Sequence, residues 1–284
     1  MLETAIERKS ARQRVWHSLY WSWRKYIAVL RVSVANNLAY IYEVMFRSLF
    51  LIVLIFVFGQ LWKTTYAARG VSLLGGFNMN AMIWYLAVAE TIATSIPPLT
   101  RRIDEDVRSG RLAYLLGRPN NYVLYNFAQY LGERLVRFCI NGVIAAVMAL
   151  LLVGLPHFTW MGVLAWPLVT FLALCIDFVA YFAIGLLAFW TEDTNSFTIM
   201  YSRLTLVLGG VLVPLEVFPQ PLRGIAQALP FSAILYGPAR TLVHFDLASF
   251  GGLLLQQGVT LGVGCLILMA LYRVAIRRVN INGG

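Results

Sequence analysis

The chain has 284 residues, of which 60% are hydrophobic and 13% are charged, and its formal net charge is +10. Soluble domains have about 25% charged residues, so this composition and a mean hydropathy of +0.71 exclude an ordinary soluble protein and indicate a membrane protein. Continuously apolar segments such as residues 49–58 (LFLIVLIFVF) lack the alternating polarity of a membrane β-barrel, so the spans are predicted to be helices.

Residues 1–37 are predicted to form an N-terminal amphipathic interfacial segment. Apolar and aromatic side chains recur there at spacings of three and four: Trp16, Leu19, Tyr20, Trp23, Ile27, Leu30 and Val34. Basic residues lie among them, and this pattern is typical of a helix in the headgroup zone of a membrane. A helix packed on a protein neighbour would show the same pattern, so both interpretations stay open.

Six apolar segments follow, each close to the roughly 20 residues that cross a bilayer. The predicted transmembrane helices are residues 38–62, 79–99, 135–155, 162–190, 197–213 and 252–272, within one membrane domain of residues 38–284. We therefore expect an all-α polytopic membrane protein with six transmembrane helices. Because six is even, both termini should lie on one side.

Basic residues are concentrated on one side of this topology. That side has seven Lys or Arg in residues 1–37, seven between residues 101 and 137, and Arg273, Arg277 and Arg278; the other side has Lys63, Arg69, Arg223 and Arg240. Positive charge marks cytoplasmic loops, so both termini and the loop after the second span are expected in the cytoplasm. The asymmetry accounts for the net charge without nucleic acid as a partner.

The cytoplasmic loop of residues 100–120 has an ordered apolar pattern. Ile103 and Val107 share one helical face, Gly110 allows a bend, and Leu112 and the leucines after it resume the apolar surface. The pattern predicts a short helix parallel to the membrane that docks a cytoplasmic partner. A solvated loop that only reverses the chain is the alternative, and it leaves the ordered leucines unexplained.

Several acidic residues lie inside the predicted spans. Glu43 and Arg47 are four residues apart and are interpreted as an ion pair at the headgroup level. Glu90 and Asp177 lie near the middle of the second and fourth spans, where an ionised group is costly. Each is predicted to line a translocation path or a subunit interface, with a helix-to-helix hydrogen bond as the alternative. In residues 191–197 (TEDTNSF), a Thr or Asp cap for the fifth helix is favoured over contact with a partner.

Residues 214–250 lie between the fifth and sixth spans and are too apolar for a solvated loop. Prolines prevent one continuous helix there, because proline removes a backbone donor and clashes with the preceding turn. Apolar residues still repeat at helical spacing between Pro221 and Pro230, and a second short helix is predicted at residues 239–243. We expect re-entrant helices before the last span; a loop resting on lipid is the alternative.

Motifs of catalysis and cofactor binding are missing. The sequence contains no GxxxxGK[ST] phosphate loop, no HExxH zinc motif and no nucleophile with a recognisable base. The cysteines, Cys139, Cys175 and Cys265, lie in apolar segments without metal-ligand spacing. The chain is therefore expected to have no catalytic residue and no metal site, and to bind no cofactor itself.

Two segments resemble those of a known family, the ABC-2-type permeases, which are the membrane subunits of ATP-binding-cassette exporters. The loop after their second span is similar in its pattern to Ile103, Asp106, Val107, Arg108, Ser109, Gly110, Arg111, Leu112, Leu115, Leu116, Arg118 and Pro119. The proline-bounded PLEVFPQPL, followed by ALPF, is similar to the segment that leads into their extracellular re-entrant helices. The N-terminal segment is similar to their interfacial elbow helix.

The resemblance implies roles for particular residues. Contact with an ATPase through a cytoplasmic coupling helix would involve Arg101, Arg102, Ile103, Asp104, Glu105, Asp106, Val107, Arg108, Gly110, Leu112, Leu115 and Leu116. An extracellular gate would involve Pro214, Glu216, Phe218, Pro219, Pro221 and Pro230. The resemblance also implies export across the plasma membrane by a non-catalytic subunit. ATP and Mg²⁺ would bind a separate cytoplasmic ATPase dimer, and a second permease, identical or homologous, would complete the assembly.

Other functions remain compatible with these residues. A proton-coupled secondary transporter would use Glu90 or Asp177 as a proton relay and would need no ATPase. A membrane scaffold or sensor subunit would bind partners without cargo-dependent ATP hydrolysis. Hydrophobic drugs, lipids, peptides and polysaccharides all remain open as cargo.

Overall fold

The computed structural model describes residues 23–118, 120–155 and 157–282, and it is 83% helical. The α-helices of this part are α1 (23–39), α2 (Ile41–Arg69), α3 (Met79–Thr94), α4 (Leu99–Arg108), α5 (Arg111–Leu116), α6 (Tyr122–Val153), α7 (Trp160–Leu186), α8 (Asn195–Leu208), α9 (Gln220–Ala228), α10 (Phe231–Ile234), α11 (Tyr236–Val243) and α12 (Leu247–Asn282). Short 3-10 turns occupy Leu187–Phe189 and Leu215–Val217. The expected all-α polytopic membrane protein is confirmed.

Among the described helices, four are long and apolar enough to cross a bilayer: α2, α6, α7 and α12. Helices α3 and α8 correspond to the predicted second and fifth spans but have only 16 and 14 residues. At 1.5 Å per residue they extend over about 24 and 21 Å, less than the ~30 Å hydrocarbon core. Pro97 and Pro98 end the first, because proline disfavours helical geometry in the residue before it. Gly209 and Gly210 follow the second, and Gly210 has a φ of 68°.

Helix α3 lies at the centre of the bundle and contacts α2, α6 and α11. Every residue from Met82 to Ile92 is buried. Its aromatic side chains pack on the surrounding segments: Tyr85 lies against Phe77, and Trp84 lies against Phe158. Because neighbouring protein covers its faces, α3 need not match the thickness of the lipid.

Helix α6 begins much earlier than the predicted third span of residues 135–155. It starts at Tyr122, where Asn121 caps it by accepting a hydrogen bond from the backbone N–H of Leu124 at 3.1 Å. The assignment of Arg134 to the flank of a cytoplasmic loop is therefore wrong. That arginine is the thirteenth residue of a helix of 32, and it was misplaced because charged side chains lower the local hydropathy.

Helix α1 packs on the first half of α6. The hydroxyl of Ser33 donates a hydrogen bond to the carbonyl of Gln129 at 2.8 Å. Trp23 and Ile27, in contrast, are 63% and 47% exposed. Packing on a neighbouring helix is thus observed, and the exposed side is the one that would meet lipid headgroups. The rest of the predicted apolar stripe, in residues 1–22, lies outside the described residues.

Three short helices connect α8 to α12. Helix α9 lies where the proline-bounded helix was predicted, α11 includes the segment predicted at residues 239–243, and the single turn of α10 lies between them. Ala233, Ile234, Leu235 and Ala239 are at most 1% exposed, and α11 contacts α3 and α7. A loop resting on lipid would not bury these side chains, so the segment is an integral part of the bundle.

Candidate functional site

Helices α4 and α5 form an angled pair against one end of the bundle. The chain bends between them at Gly110, whose φ of 71° is costly for residues with a side chain. Ile103 is 0% exposed and lies against Gly185 of α7 so closely that a Cβ there would be 2.8 Å from the Cβ of Ile103. Leu112 of α5 is also buried. The apolar side of the α4–α5 pair is therefore fixed to the end of α7.

Asp106 connects the α4–α5 pair to α6. This carboxylate is 3% exposed and accepts hydrogen bonds from the Tyr122 hydroxyl at 2.8 Å and from Nε of Arg111 at 2.6 Å. The bond from Arg111 raises the pKa of that guanidinium above its ordinary value. Asp106 thus ties α4, α5 and the first residue of α6 together.

Asp104 connects the α4–α5 pair to the turn before α8. It accepts hydrogen bonds from Thr194 Oγ1 at 3.1 Å and from Nε of Arg108 at 2.8 Å. Arg108 also donates to the carbonyls of Thr191 and Glu192. The hydrogen bond with Asp104 also raises the pKa of Arg108 above its ordinary value. These hydrogen bonds hold Arg108 at the turn.

Asp193 caps α8, as the turn at residues 191–197 predicted. Its carboxylate accepts hydrogen bonds from the backbone N–H groups of Asn195 at 2.8 Å and Ser196 at 3.2 Å, and from the Ser196 hydroxyl at 2.6 Å. These bonds lower the pKa of Asp193, the bond from the Ser196 hydroxyl most of all.

The remaining surface of the α4–α5 pair faces away from the bundle. Arg101 and Glu105 form an ion pair at 2.8 Å with side chains 82% and 58% exposed. The guanidinium of Arg118 lies 4.7 Å from the ring centre of Tyr114, which is 65% exposed. Of the residues predicted to contact an ATPase, Arg101, Glu105, Arg108 and Gly110 are exposed, Arg102, Asp104, Val107, Leu115 and Leu116 are half-buried, and Ile103, Asp106 and Leu112 are buried.

A buried ion pair joins α6 and α7 in the interior. Nη2 of Arg134 donates to Oδ2 of Asp177 at 2.8 Å, and both side chains are 0% exposed. The guanidinium also donates to the carbonyl of Ile92 at 3.2 Å and to the Tyr130 hydroxyl. The hydroxyl of Tyr201 donates to Oδ1 of Asp177 at 3.3 Å. This cluster therefore links α3, α6, α7 and α8.

Sequence reasoning found Asp177 but missed its partner. The two residues are 43 positions apart, so no pattern within one helix reveals the pairing. The available signal was the helix start at Asn121, a capping residue immediately before a periodic apolar run. Recognising that start would have placed Arg134 within helix α6, where a buried arginine needs a partner.

Glu90 differs from Asp177 in its surroundings. It is 1% exposed, and its Oε1 atom is buried without a hydrogen-bond partner among the described residues. Buried polar groups are nearly always hydrogen-bonded, so this unpaired oxygen in α3 is a candidate for binding a proton or a polar ligand group. The side chain of Arg47, which was predicted to pair with Glu43, lies outside the described residues.

At the opposite end of the bundle, Glu216 joins the short helices. Its Oε1 accepts hydrogen bonds from Nε of Arg240 at 3.0 Å and from the Tyr236 hydroxyl, while Oε2 is buried with no hydrogen-bond partner in the part of the chain that the structure describes. These side chains line a cleft of about 390 Å³ formed by α9, α11 and the start of α12. Of the predicted gate residues, Pro214 is buried, Glu216, Phe218 and Pro230 are half-buried, and Pro219 and Pro221 are exposed.

The long apolar helices and the polar clusters within their bundle define a multi-pass membrane protein. The family model described as ABC-2 family transporter protein matches residues 49–283, and the chain therefore belongs to that family. It is a permease of an ABC transporter, a membrane component associated with an ABC ATPase. The resemblance noted in the sequence is thus confirmed. A comparison with curated proteins finds no match.

Proposed function

We propose that this chain is one permease half of an ATP-driven exporter in the plasma membrane. A second permease, identical or homologous, completes the pathway, and a separate cytoplasmic ATPase dimer binds ATP and Mg²⁺. The proposal rests on family membership together with one geometric observation: the α4–α5 pair is attached to the ends of three bundle helices while its outer face is charged and uncovered.

The proposed topology has six membrane crossings and both termini in the cytoplasm. Helices α2, α6, α7 and α12 cross as long helices, and α3 and α8 cross as short helices covered by neighbouring protein. The excess of Lys and Arg at the α4–α5 end supports a cytoplasmic location for that end. The short helices α9–α11 then lie at the extracellular end, as re-entrant helices before the last span.

ATP-driven movement of the ATPase acts on the permease through the exposed side of the α4–α5 pair. Each of its attachments leads to a different helix: Ile103 to α7, Asp106 to α6, and Asp104 to the turn before α8. The same three helices carry the Arg134–Asp177 cluster farther into the bundle. A push on the pair therefore acts on helices whose mutual packing is fixed by a buried ion pair.

The extracellular end is proposed to act as the gate. Glu216 holds α11 through Arg240 and Tyr236, and α11 in turn packs against the central helix α3. Separation of α9–α11 from α3 would open the outer end of the pathway. Glu90 and Asp177 are proposed pathway or interface residues, with Asp177 acting through its pairing with Arg134.

Copurification from native membranes tests the proposal. The tagged chain is extracted in mild detergent and is expected to retain an ABC ATPase, and a differently tagged or homologous second permease. The double variant Arg101→Glu, Tyr114→Ala changes only exposed side chains of the α4–α5 pair and is expected to lose most of the ATPase. Arg69→Glu, an exposed charge reversal at the opposite end, is the matched control.

Two results would count against the proposal at different levels. Recovery of the wild-type chain without any nucleotide-binding partner would contradict the exporter assignment. Retention of the ATPase by the double variant at the wild-type level would move the contact surface away from Arg101 and Tyr114. Cargo-dependent ATP hydrolysis by the recovered complex separates a permease from a scaffold or sensor subunit.

The unpaired oxygen of Glu90 favours one alternative, a proton-coupled transporter. In that case Glu90→Gln would abolish transport, and transport would collapse with the proton gradient while persisting without an ATPase. The exporter instead predicts transport that follows ATP supply and survives a protonophore. Normal transport by Glu90→Gln would remove this residue from the pathway.

A further inference from the structure

Helix α8 has two faces of opposite character. Thr198, Tyr201 and Thr205 are half-buried or buried against the bundle. The residues on the other side are all exposed and share one face because they recur every three or four positions. We call this side the α8 outer face; it consists of Ser196, Ile199, Met200, Arg203, Leu204 and Val207.

Arg203 lies at membrane depth in the proposed topology. It is the ninth of the 14 residues of α8, about 12 Å along the axis from Asn195 at 1.5 Å per residue. The hydrogen bond from Tyr201 to Asp177 gives an independent measure, because Asp177 is nine residues, or about 14 Å, from the end of α7 at Leu186. Both distances exceed the length of an arginine side chain, so Arg203 does not reach the cytoplasmic headgroups.

Arg203 is a cation without a counter-charge in the part of the chain that the structure describes. Its side chain is exposed and makes no hydrogen bond or ion pair with a described residue. An arginine at membrane depth is unfavourable unless it is paired or faces a water-filled cavity. Lipid tails provide neither, so a polar group or a solvated space must cover this side of α8 in the assembly.

A second identical permease supplies no counter-charge at this depth from its described residues. Within the crossing helices, Asp177 and Glu133 are ion-paired in their own chain, and Glu90 is 1% exposed. Glu43 lies in the first turn of α2, at the cytoplasmic end. If the outer faces of two copies met, each Arg203 would approach its equivalent, and the like charges would repel unless an anion lay between them.

We infer that the cargo of this permease carries a phosphate or carboxylate group, which binds Arg203, and an apolar part, which lies on the side chains around it. The guanidinium fork matches either anion with two parallel hydrogen bonds. Ile199, Met200, Leu204 and Val207 surround the arginine and are between 40% and 56% exposed. The inference rests on the proposed exporter, because it places the α8 outer face on the pathway between two permeases.

The attachments of α8 support this placement. The hydroxyl of Thr194, immediately before α8, donates to Asp104 of the α4–α5 pair. At the other end, the Tyr85 hydroxyl of α3 donates to the carbonyl of Gly210. Movement of the α4–α5 pair therefore reaches α8 directly, while the outer face is left free to meet cargo. A resident lipid is a poorer match, because its phosphate stays at the headgroup level and Arg203 does not.

Photo-crosslinking of the purified full-length chain tests the inference without any ATPase. The chain is placed in phosphatidylcholine nanodiscs with one of three probes that share a diazirine-bearing alkyl chain: an alkyl phosphate, an alkyl alcohol and an alkyl trimethylammonium. Labelled peptides are mapped by mass spectrometry. The phosphate should label α8 about tenfold or more above the other two, because neither of them accepts charge-assisted hydrogen bonds from Arg203.

Variants separate binding at Arg203 from a general attraction of anions to a basic chain. Arg203→Gln should lose the preference for the phosphate, and Arg203→Glu should transfer it to the trimethylammonium probe. This transfer is a gain of labelling, which misfolding does not produce.

Arg273→Gln is the matched control, since Arg273 is also an exposed arginine on a crossing helix. It lies 26 residues, or about 39 Å, beyond the start of α12 at Leu247, outside the ~30 Å hydrocarbon core. Labelling of α8 in this control should equal that of the wild type.

Three results would overturn the inference. The first is equal labelling of α8 by all three probes. The second is protection of α8 by phosphatidylglycerol as strong as that by unlabelled alkyl phosphate at equal concentration, which would assign Arg203 to a resident lipid. The third is loss of the phosphate label once a second permease is bound, which would assign Arg203 to a carboxylate of that permease.

ATP hydrolysis by the recovered complex connects the site to cargo. The alkyl phosphate should stimulate hydrolysis in the wild type and in Arg273→Gln but not in Arg203→Gln. Recovery of the chain without an ATPase would refute the exporter and still leave the anion preference of α8 measurable. Stimulation that is equal for all three probes would preserve the exporter and refute the anionic cargo.

Discussion

Replacing Asp177 by asparagine is expected to leave Arg134 as an uncompensated cation inside the helix bundle. Both side chains are 0% exposed, and asparagine preserves the size of the aspartate while removing its charge. The remaining partners of the guanidinium are the neutral carbonyl of Ile92 and the hydroxyl of Tyr130. We therefore expect a loss of stability that reflects an unpaired charge and exceeds that of a lost hydrogen bond.

The magnitudes of these two effects differ enough to be separated. Removing one partner of a buried ion pair costs about 3–5 kcal/mol, or roughly a 10²- to 10⁴-fold change in the unfolding equilibrium. Hydrogen bonds between membrane helices average only about 0.6 kcal/mol. Tyr201→Phe removes the 3.3 Å bond to Asp177 and keeps the ion pair, so it should cost about 0.6 kcal/mol.

Equilibrium unfolding in one detergent, compared across the variants, measures both effects. The double variant Arg134→Leu, Asp177→Leu removes both charges and is expected to be more stable than Asp177→Asn, because apolar replacements of buried pairs are often neutral or stabilising. A free energy of unfolding for Asp177→Asn within about 1 kcal/mol of wild type would refute the reasoning, since it lies well below the cost of an unpaired buried charge. A double variant that is less stable than Asp177→Asn would also refute it.

Two further predictions concern the α4–α5 end. Gly185→Ala is expected to destabilise the chain by about 1–3 kcal/mol in the same unfolding assay, because its Cβ would lie 2.8 Å from Ile103. Gly258→Ala has open space around it and should be neutral or slightly stabilising; equal losses in both would rule out the contact as the cause. Asp193→Ala should speed amide hydrogen exchange in the first turn of α8, whereas Glu192→Ala should not. The pKa of Asp193 is lowered on folding, so its capping contribution is present above the ordinary value of about 3.9 and is lost as pH falls through the lower folded value. A difference between the two variants that persists below that range would contradict this origin.

The apolar pattern predicted most of the helices, but it placed only some of their ends correctly. The bend at Gly110 and the short helices of residues 214–250 could be predicted, because glycine and proline act locally on the backbone. The start of α6 could not be found from hydropathy, since charged residues in its first half resemble a loop until their partners on other helices are known. The lengths of α3 and α8 likewise depend on protein that covers them, which a hydropathy window does not register.

The candidate site, like the fold, could be predicted from local sequence patterns only in part. Residue types and spacing predicted the α4–α5 segment as a docking element. Only the structure distinguishes Arg101, which is exposed, from Ile103 and Asp106, which are buried and attach the segment to the bundle. Glu90 and Asp177 looked equivalent in sequence. In the structure, Asp177 pairs with Arg134, whereas Oε1 of Glu90 has no hydrogen-bond partner among the described residues.

The ion pair between α6 and α7 has a consequence for how the chain enters the membrane. Arg134 leaves the ribosome 43 residues before Asp177, which at roughly 5–20 residues per second is about 2–9 s earlier. During that interval Asp177 is not yet available to the arginine, and an arginine at membrane depth without its partner is unfavourable on insertion scales. Helix α6 should therefore wait near the cytoplasmic surface and insert together with α7 as a hairpin, so that the two charges enter the bilayer as a neutral pair.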